Sequence, residues 1–527
     1  MMLKPSKCRS FSLKGGRPVK EIFNINEHPV PSIADEEQKF LGRVLFFSGK
    51  SSECFNLLQN DIKRRLENLE KTAIRSEFKL EIYQLYILPS IRFLLTVHDL
   101  PITHLTRLDT MTDQFLKKWA GLPRCATNAI LHLDTALHIK KISTLYKEAH
   151  ATTHCSTRLK GDTGVNLALD NRLARESQFV RKQSVTVQSE QIYQRALGRN
   201  TVQGEIPGCT PENVQLGQEQ DTTLNPIEHG TEIPPSEAIK PSSKFISKVK
   251  KDVVSLISVE ENGKILEHVK KLLKQGNFLE MSKCEQTDAT WKSFIYNLPR
   301  GTMKWLLNSS IDTLPTKVNL KIWGKVNNEK CFCGQRQTLN HILNCCVVSL
   351  NQGRFTYRHD SILNYIKGCL DNSKYTCYVD IEGHQTEGGG TIPPEITVTT
   401  LKPDIVIIDK KAKSLEIFEL TVPGESRISI AHNIKLRKYQ HFESDIHTYK
   451  VSVLPFEIGS NTGYISRENK ASVARLHKFC KRDIKLKNFK NNISSIAILG
   501  SYYIFNNRNV ETWLTPSDYI YSPMINM

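Results

Sequence analysis

The stretch Lys402-Pro403-Asp404-Ile405-Val406-Ile407-Ile408-Asp409, followed by Leu415-Glu416-Ile417-Phe418-Glu419-Leu420-Thr421-Val422-Pro423, decides the fold expected of the C-terminal part of this chain. Two apolar runs, 405–408 and 415–422, flank a Lys-rich turn at 410–413, the pattern of a β-hairpin. Asp404 opens the first strand and Glu419 lies inside the second. A carboxylate inside an apolar strand is costly to bury unless it is paired or holds a cation. Two of them on adjacent strands suit a hard divalent ion such as Mg2+, which takes oxygen ligands and keeps several waters. A metal-dependent nuclease also needs a nearby lysine to orient or polarise the attacking water. Residues 427–442 read as a helix beginning near Ser426, and Lys435 and Lys438 share one face of it. The ordinary explanation is a satisfied edge-strand acid beside a solvated helix. Pro-Asp, a Glu on the next strand and a Lys on the following helix together point instead to chemistry.

A second constellation precedes the hairpin. Cys331-Phe332-Cys333-Gly334 is followed by His341 and by Cys345-Cys346. Four soft ligands within residues 331–346 close a tetrahedral structural zinc site, and the set taken here is Cys331, Cys333, His341 and Cys346, with Cys345 spare. With every position filled by protein, such a site adds folding energy rather than chemistry. The plain alternative is a group of small buried cysteines beside a helical histidine.

Composition sets the frame. The 527 residues are enough for two to four domains. A formal net charge of +18 suggests a polyanionic partner, most simply nucleic acid. Thirteen cysteines, odd in number and mostly scattered, fit a reducing compartment better than a disulfide framework. No apolar run approaches the roughly 20 residues of a membrane span, and the basic residues 1–17 lack the apolar core of a secretory signal. Residues 1–50 read as the end of a mixed region, and 51–184 as helical. Within the latter, Lys117, Lys118 and Arg124 form a basic-aromatic cluster with Phe115 and Trp119, a candidate phosphate-contacting surface. Residues 185–243 are rich in Gln, Glu, Thr, Pro and Asn and read as a flexible linker. A second helical region at 244–330 leads to the zinc knuckle at 331–346, a nuclease domain at 347–510 and a tail at 511–527.

In that order the chain resembles the C-terminal part of polyproteins of site-specific non-LTR retrotransposons, those carrying a restriction-enzyme-like PD-(D/E)XK endonuclease. Phe40-Leu41-Gly42 resembles the end of the reverse transcriptase palm. Leu88-Pro89-Ser90-Ile91-Arg92-Phe93 and Lys117-Lys118-Trp119-Ala120-Gly121-Leu122-Pro123-Arg124 resemble the thumb and its extension. Asp312-Thr313-Leu314-Pro315-Thr316 with Asn319-Leu320 resembles the linker before the family's CCHC knuckle, whose four-residue gap after the histidine selects Cys346. Gly353-Arg354 to Arg358-His359-Asp360 resembles the helix leading into the nuclease, and Arg358 and His359 join the candidate nucleic-acid contacts.

The resemblance implies an α+β multidomain chain, with a mostly helical, thumb-like N-terminal half and a C-terminal α/β nuclease fold. Asp404 and Glu419 would be Mg2+ ligands. The standard nuclease lysine position is Thr421 here, a departure the family shares, so the lysine moves to the next helix as Lys435 first and Lys438 second. The implied activity is nicking of target DNA, with DNA and element RNA as partners, a nuclear location and no membrane. No Asp-Asp dipeptide occurs anywhere in the sequence, so a truncated element without polymerase activity is expected. The alternatives are an inactive nucleic-acid-binding remnant of the same element and a zinc-knuckle interaction protein; the latter leaves Asp404 and Glu419 unexplained.

Overall fold

A computed structural model of the chain describes residues 8–520, apart from 16, 26, 36–37, 41–42, 46, 48–50, 135, 179–183, 202–240, 277–293, 300 and 467. The described chain is mixed α+β and divides into two units. One comprises Met1–Thr72, Ile82–Thr112 and Lys140–Lys264, the other Ala73–Glu81, Asp113–Ile139 and Ile265–Met527.

The first unit begins with three short antiparallel hairpins, the last pairing Gln38–Phe40 with Arg43–Leu45. Leu41 and Gly42, part of the palm resemblance, lie outside the described residues. Long helices follow, among them Ser51–Lys71 and Ile142–Lys160. The expected linker is corrected at its start, because Val185–Thr201 is a helix. Its polar composition hides a sparse stripe of Ile192, Tyr193 and Ala196, which is buried against Ala151, Cys155, Val249 and Val253. Ser184 Oγ accepts from the Val187 amide at 3.1 Å, as an N-terminal cap does. The remainder of that linker, 202–240, lies outside the described residues. A second difference concerns length and apolarity. The helical stretch Ser76–Val97 contains an 18-residue window of mean hydropathy 1.2, which meets the length and composition of a membrane span. Glu77, Lys79, Glu81 and Arg92 interrupt its apolar residues, so no continuous run shows in the sequence.

The second unit is built on a four-stranded sheet. Its strands are β1 (Thr376–Val379), β2 (Ile405–Asp409), β3 (Ser414–Thr421) and β4 (Lys450–Glu457). They lie in the order β4-β3-β2-β1; β1, β2 and β3 pair antiparallel, and β4 is parallel to β3. The β2–β3 turn is closed by Asp409 Oδ1, which accepts from the amides of Lys411 and Ala412 at 3.0 Å. The parallel pair needs a crossover, and helix α2 (Ile428–Tyr439) lies within it. Helices α1 (Arg354–Cys369), α3 (Glu468–His477) and α4 (Leu486–Asn506) cover the opposite face.

Both faces of β2 and β3 are therefore buried, which is why they read as continuous apolar runs. Ile405, Ile407, Phe418 and Leu420 pack with Ile362, Ile366, Val473 and Ile493. Val406, Ile408, Leu415 and Ile417 pack on the other side with Tyr439, Phe442 and Val453. The expected tail is corrected as well. Ile520 is buried in the first of these clusters, Trp513 and Tyr519 pack against it, and Tyr357 donates to Asp518 O at 2.8 Å. Residues 521–527 lie outside the described residues.

Candidate functional site

The knuckle forms around a tight turn in which Gly334 takes a φ of +83° and its amide donates to Cys331 O at 3.0 Å. Only glycine adopts that backbone without strain. His341 opens a single π-turn, His341–Cys345, and Cys346 caps the next helix, Val347–Asn351. Cys331 Sγ and Cys346 Sγ lie 3.8 Å apart, and Cys333 Sγ is 3.2 Å from His341 Nε2. All four ligand atoms fall within 4.8 Å of one another. Zn–S bonds near 2.3 Å in a tetrahedron put sulfurs about 3.8 Å apart. The cluster is thus able to hold a metal such as zinc. Burial pushes the Cys346 thiol up, but hydrogen bonds from Ser349, Cys331 and the Val348 amide outweigh it and hold it below the usual range. Cys345 is exposed, with Asn340 Nδ2 at 3.6 Å from its sulfur, and is not among the four.

The two hairpin acids stand together. The antiparallel register pairs Ile405 with Phe418, so the next step sets Asp404 opposite Glu419 on one face of the sheet, the face packed against α2. Each carboxylate bonds to the other's strand: Asp404 N donates to Glu419 Oε1 at 3.1 Å, and Leu420 N donates to Asp404 Oδ2 at 2.7 Å. Lys435 Nζ, one turn from the end of α2, donates to Glu419 Oε2 at 2.6 Å. Asp404 Oδ1 has no protein donor among the described residues.

Electrostatics divides the pair. Burial pushes Asp404 up, but the charge and hydrogen bond of His359, together with Lys435 and the Leu420 amide, hold it below the ordinary carboxylate range. Glu419 is pushed up to about 7 by burial and by the neighbouring Asp404 charge, against the pull of Lys435. Burial alone would lower Lys435, but Asp404 and Glu419 raise it, so the ammonium is firmly charged.

Three neighbours were not foreseen as parts of this site. His359, expected as a nucleic-acid contact, lies with Nε2 3.4 Å from Asp404 Oδ2 and Nδ1 3.0 Å from Asp360 Oδ1. Burial pulls His359 down, yet Asp404 and Asp360 raise it to about 10. Tyr439, one turn beyond Lys435, donates its hydroxyl to Lys402 O at 3.3 Å, two residues before Asp404. Glu457 ends β4 on the same face as Glu419 and pairs with His432 Nδ1 at 3.1 Å; burial pushes it up to about 7. Only Glu457 left a trace in the sequence, as a second carboxylate ending an apolar strand. Thr421, at the standard lysine position, has a buried Oγ1 with no partner among the described residues.

Other expected contacts are corrected. Arg358 is buried, its guanidinium donating to Ser501 Oγ at 2.9 Å and Val422 O at 3.1 Å, so it offers nothing to a phosphate. Lys438 Nζ donates to Tyr439 OH at 2.8 Å and sits over that ring rather than at the acids. Lys117 Nζ is spent on the carbonyls of Ala126 and Arg124, at 2.5 and 3.3 Å, while Lys118 and Arg124 are exposed. No protein-family model and no curated protein matches the chain.

Proposed function

We propose that the sheet-centred unit is a Mg2+-dependent DNA endonuclease of the restriction-enzyme-like type, nicking target DNA as in the site-specific non-LTR retrotransposons the sequence resembles. One observation carries this reading: Asp404 and Glu419 share a face and bond to each other's strands, with Lys435 on Glu419. The helix–three strands–helix–strand order from α1 to β4 is the one expected of that fold. The donor set also fits, since Asp404 and Glu419 supply hard oxygens and Asp404 Oδ1 is unspent. A bound Mg2+ supplies Lewis acidity and a more acidic water at the scissile phosphate. Asp404 and Glu419 hold the ion; Lys435 steadies developing negative charge. Thr421 leaves that task to the helix. Such an activity acts on chromosomal DNA, hence in the nucleus, with element RNA as a second partner.

The test is nicking of supercoiled DNA in Mg2+. The parent chain should cut, and Asp404→Ala and Glu419→Ala should each abolish cutting while DNA binding stays nearly intact. Equal cutting by all three overturns the assignment. A second reading, an inactive nucleic-acid-binding remnant, draws on the internal bonding of the site, where His359 and Lys435 already engage the acids. A parent that binds DNA but never cuts it, in Mg2+ or Mn2+, would favour that reading.

A further inference from the structure

Beside the acids runs a groove of about 500 Å³, within the range of small-molecule pockets. It is lined by His359 and Lys435, which meet the acids, and by Asn340 of the knuckle. Phe355 of α1 and Ile430 and Ile434 of α2 line it as well. The two isoleucines, one helical turn apart, are 55% and 61% exposed, so the helix carrying Lys435 presents an uncovered aliphatic face to this space. A paired duplex shows phosphate, sugar and base edges, and its flat base faces are stacked on one another. Only a base turned out of the stack offers a flat apolar face to Phe355 and the isoleucines while its phosphate stays by Lys435.

We propose that this groove holds an unstacked nucleobase beside the scissile phosphate, so that the preferred substrate is DNA unpaired next to the nick. Two features of the groove select this occupant: its lining includes Lys435 and His359, which contact Glu419 and Asp404, and the Lys435 ammonium complements phosphate. The inference rests on the nuclease reading for the position of that phosphate.

The test separates binding from cutting by using the Asp404→Ala chain. The probes are a fully paired duplex and the same duplex with a short central bubble carrying 2-aminopurine at an unpaired position. The bubble should bind on the order of tenfold tighter than the duplex at the same salt, the scale of base stacking on a protein surface. The 2-aminopurine emission should change on binding. Ile434→Trp, which fills the groove, and Ile430→Ala with Ile434→Ala, which strips it, should each erase the preference; both positions are exposed helix sites that do not support the core. Equal affinity for bubble and duplex, or a preference that survives both variants, overturns the inference. A parent that nicks DNA without any bubble preference overturns the groove alone. A preference without nicking keeps the groove and removes the nuclease.

Discussion

Lys435 and Lys438 lie three residues apart on one helix, yet their ammonium groups have different partners. Lys435 Nζ is 2.6 Å from Glu419 Oε2, whereas Lys438 Nζ is spent on the Tyr439 hydroxyl and ring. A cation that stabilises charge developing on a scissile phosphate must stand beside the carboxylates that hold the metal. Lys435→Ala should therefore lower the nicking rate on the order of 10²–10³-fold, the usual cost of losing one such donor. Lys438→Ala should change it only a few-fold, through Tyr439. Single-turnover nicking rates of the two variants decide between them, and a larger loss in Lys438→Ala would move the role along the helix. Spacing in the sequence could pair these lysines on a face but could not rank them. The ranking depends on which carboxylate each one meets after folding. His359 shows the same limit more sharply, since its meeting with Asp404 depends on how α1 packs under the sheet.

At the scale of elements, legibility followed burial. Strands β2 and β3 were readable because both faces are covered and their apolar runs are unbroken. The helix Val185–Thr201 was not, because three buried side chains among polar ones suffice once a neighbouring helix supplies the rest of the core. That helix carries its own pH sensitivity. Burial pushes Glu190 up, but hydrogen bonds from His154 and Gln194 and the charge of Arg158 outweigh it and hold it at about 2. A carboxylate depressed in the folded state stabilises above its unfolded value near 4.5, and this contribution is lost as pH falls toward 2. Discounted for solvent screening, it amounts to on the order of 2 kcal/mol for this half-buried group. Glu190→Gln should remove this acid-labile part of the stability, so that the parent loses more stability than the variant between about pH 5 and pH 2.5 in urea unfolding; parallel curves would argue against the network. The knuckle makes a separate prediction. Its π-turn places His341 and Cys346 at opposite ends, and Asn344 between them hydrogen-bonds Ser460 after β4. Zinc should leave on chelation with loss of about one metal per chain by native mass and faster amide exchange across residues 338–353. Cys346→Ser should lose the metal and Cys345→Ser should keep it. Metal retained in Cys346→Ser would return the cluster to ordinary buried cysteines.

For the whole molecule the governing quantity is the net charge of +18, which the sequence states openly but does not locate. Folding withdraws part of it from solvent. Arg358 is enclosed by Ser501 and Val422, and Lys117 is tied to its own loop, while Lys118 and Arg124 remain at the surface. Phosphate binding releases counterions only from contacts that cations actually make, so log affinity should fall linearly with log salt, with a slope near 0.7–0.9 per neutralised phosphate. Double-stranded DNA titrated across a salt series should show this steep line. Lys118→Gln with Arg124→Gln should flatten it by roughly one to two units. Arg358→Gln should leave the slope alone and instead lower stability, because it strips donors from two buried acceptors at a cost of about 1–3 kcal/mol each. A slope unchanged in the Lys118 and Arg124 variant would place the phosphate contacts on other cations. A flat line in the parent would mean that the positive charge serves no polyanion at all.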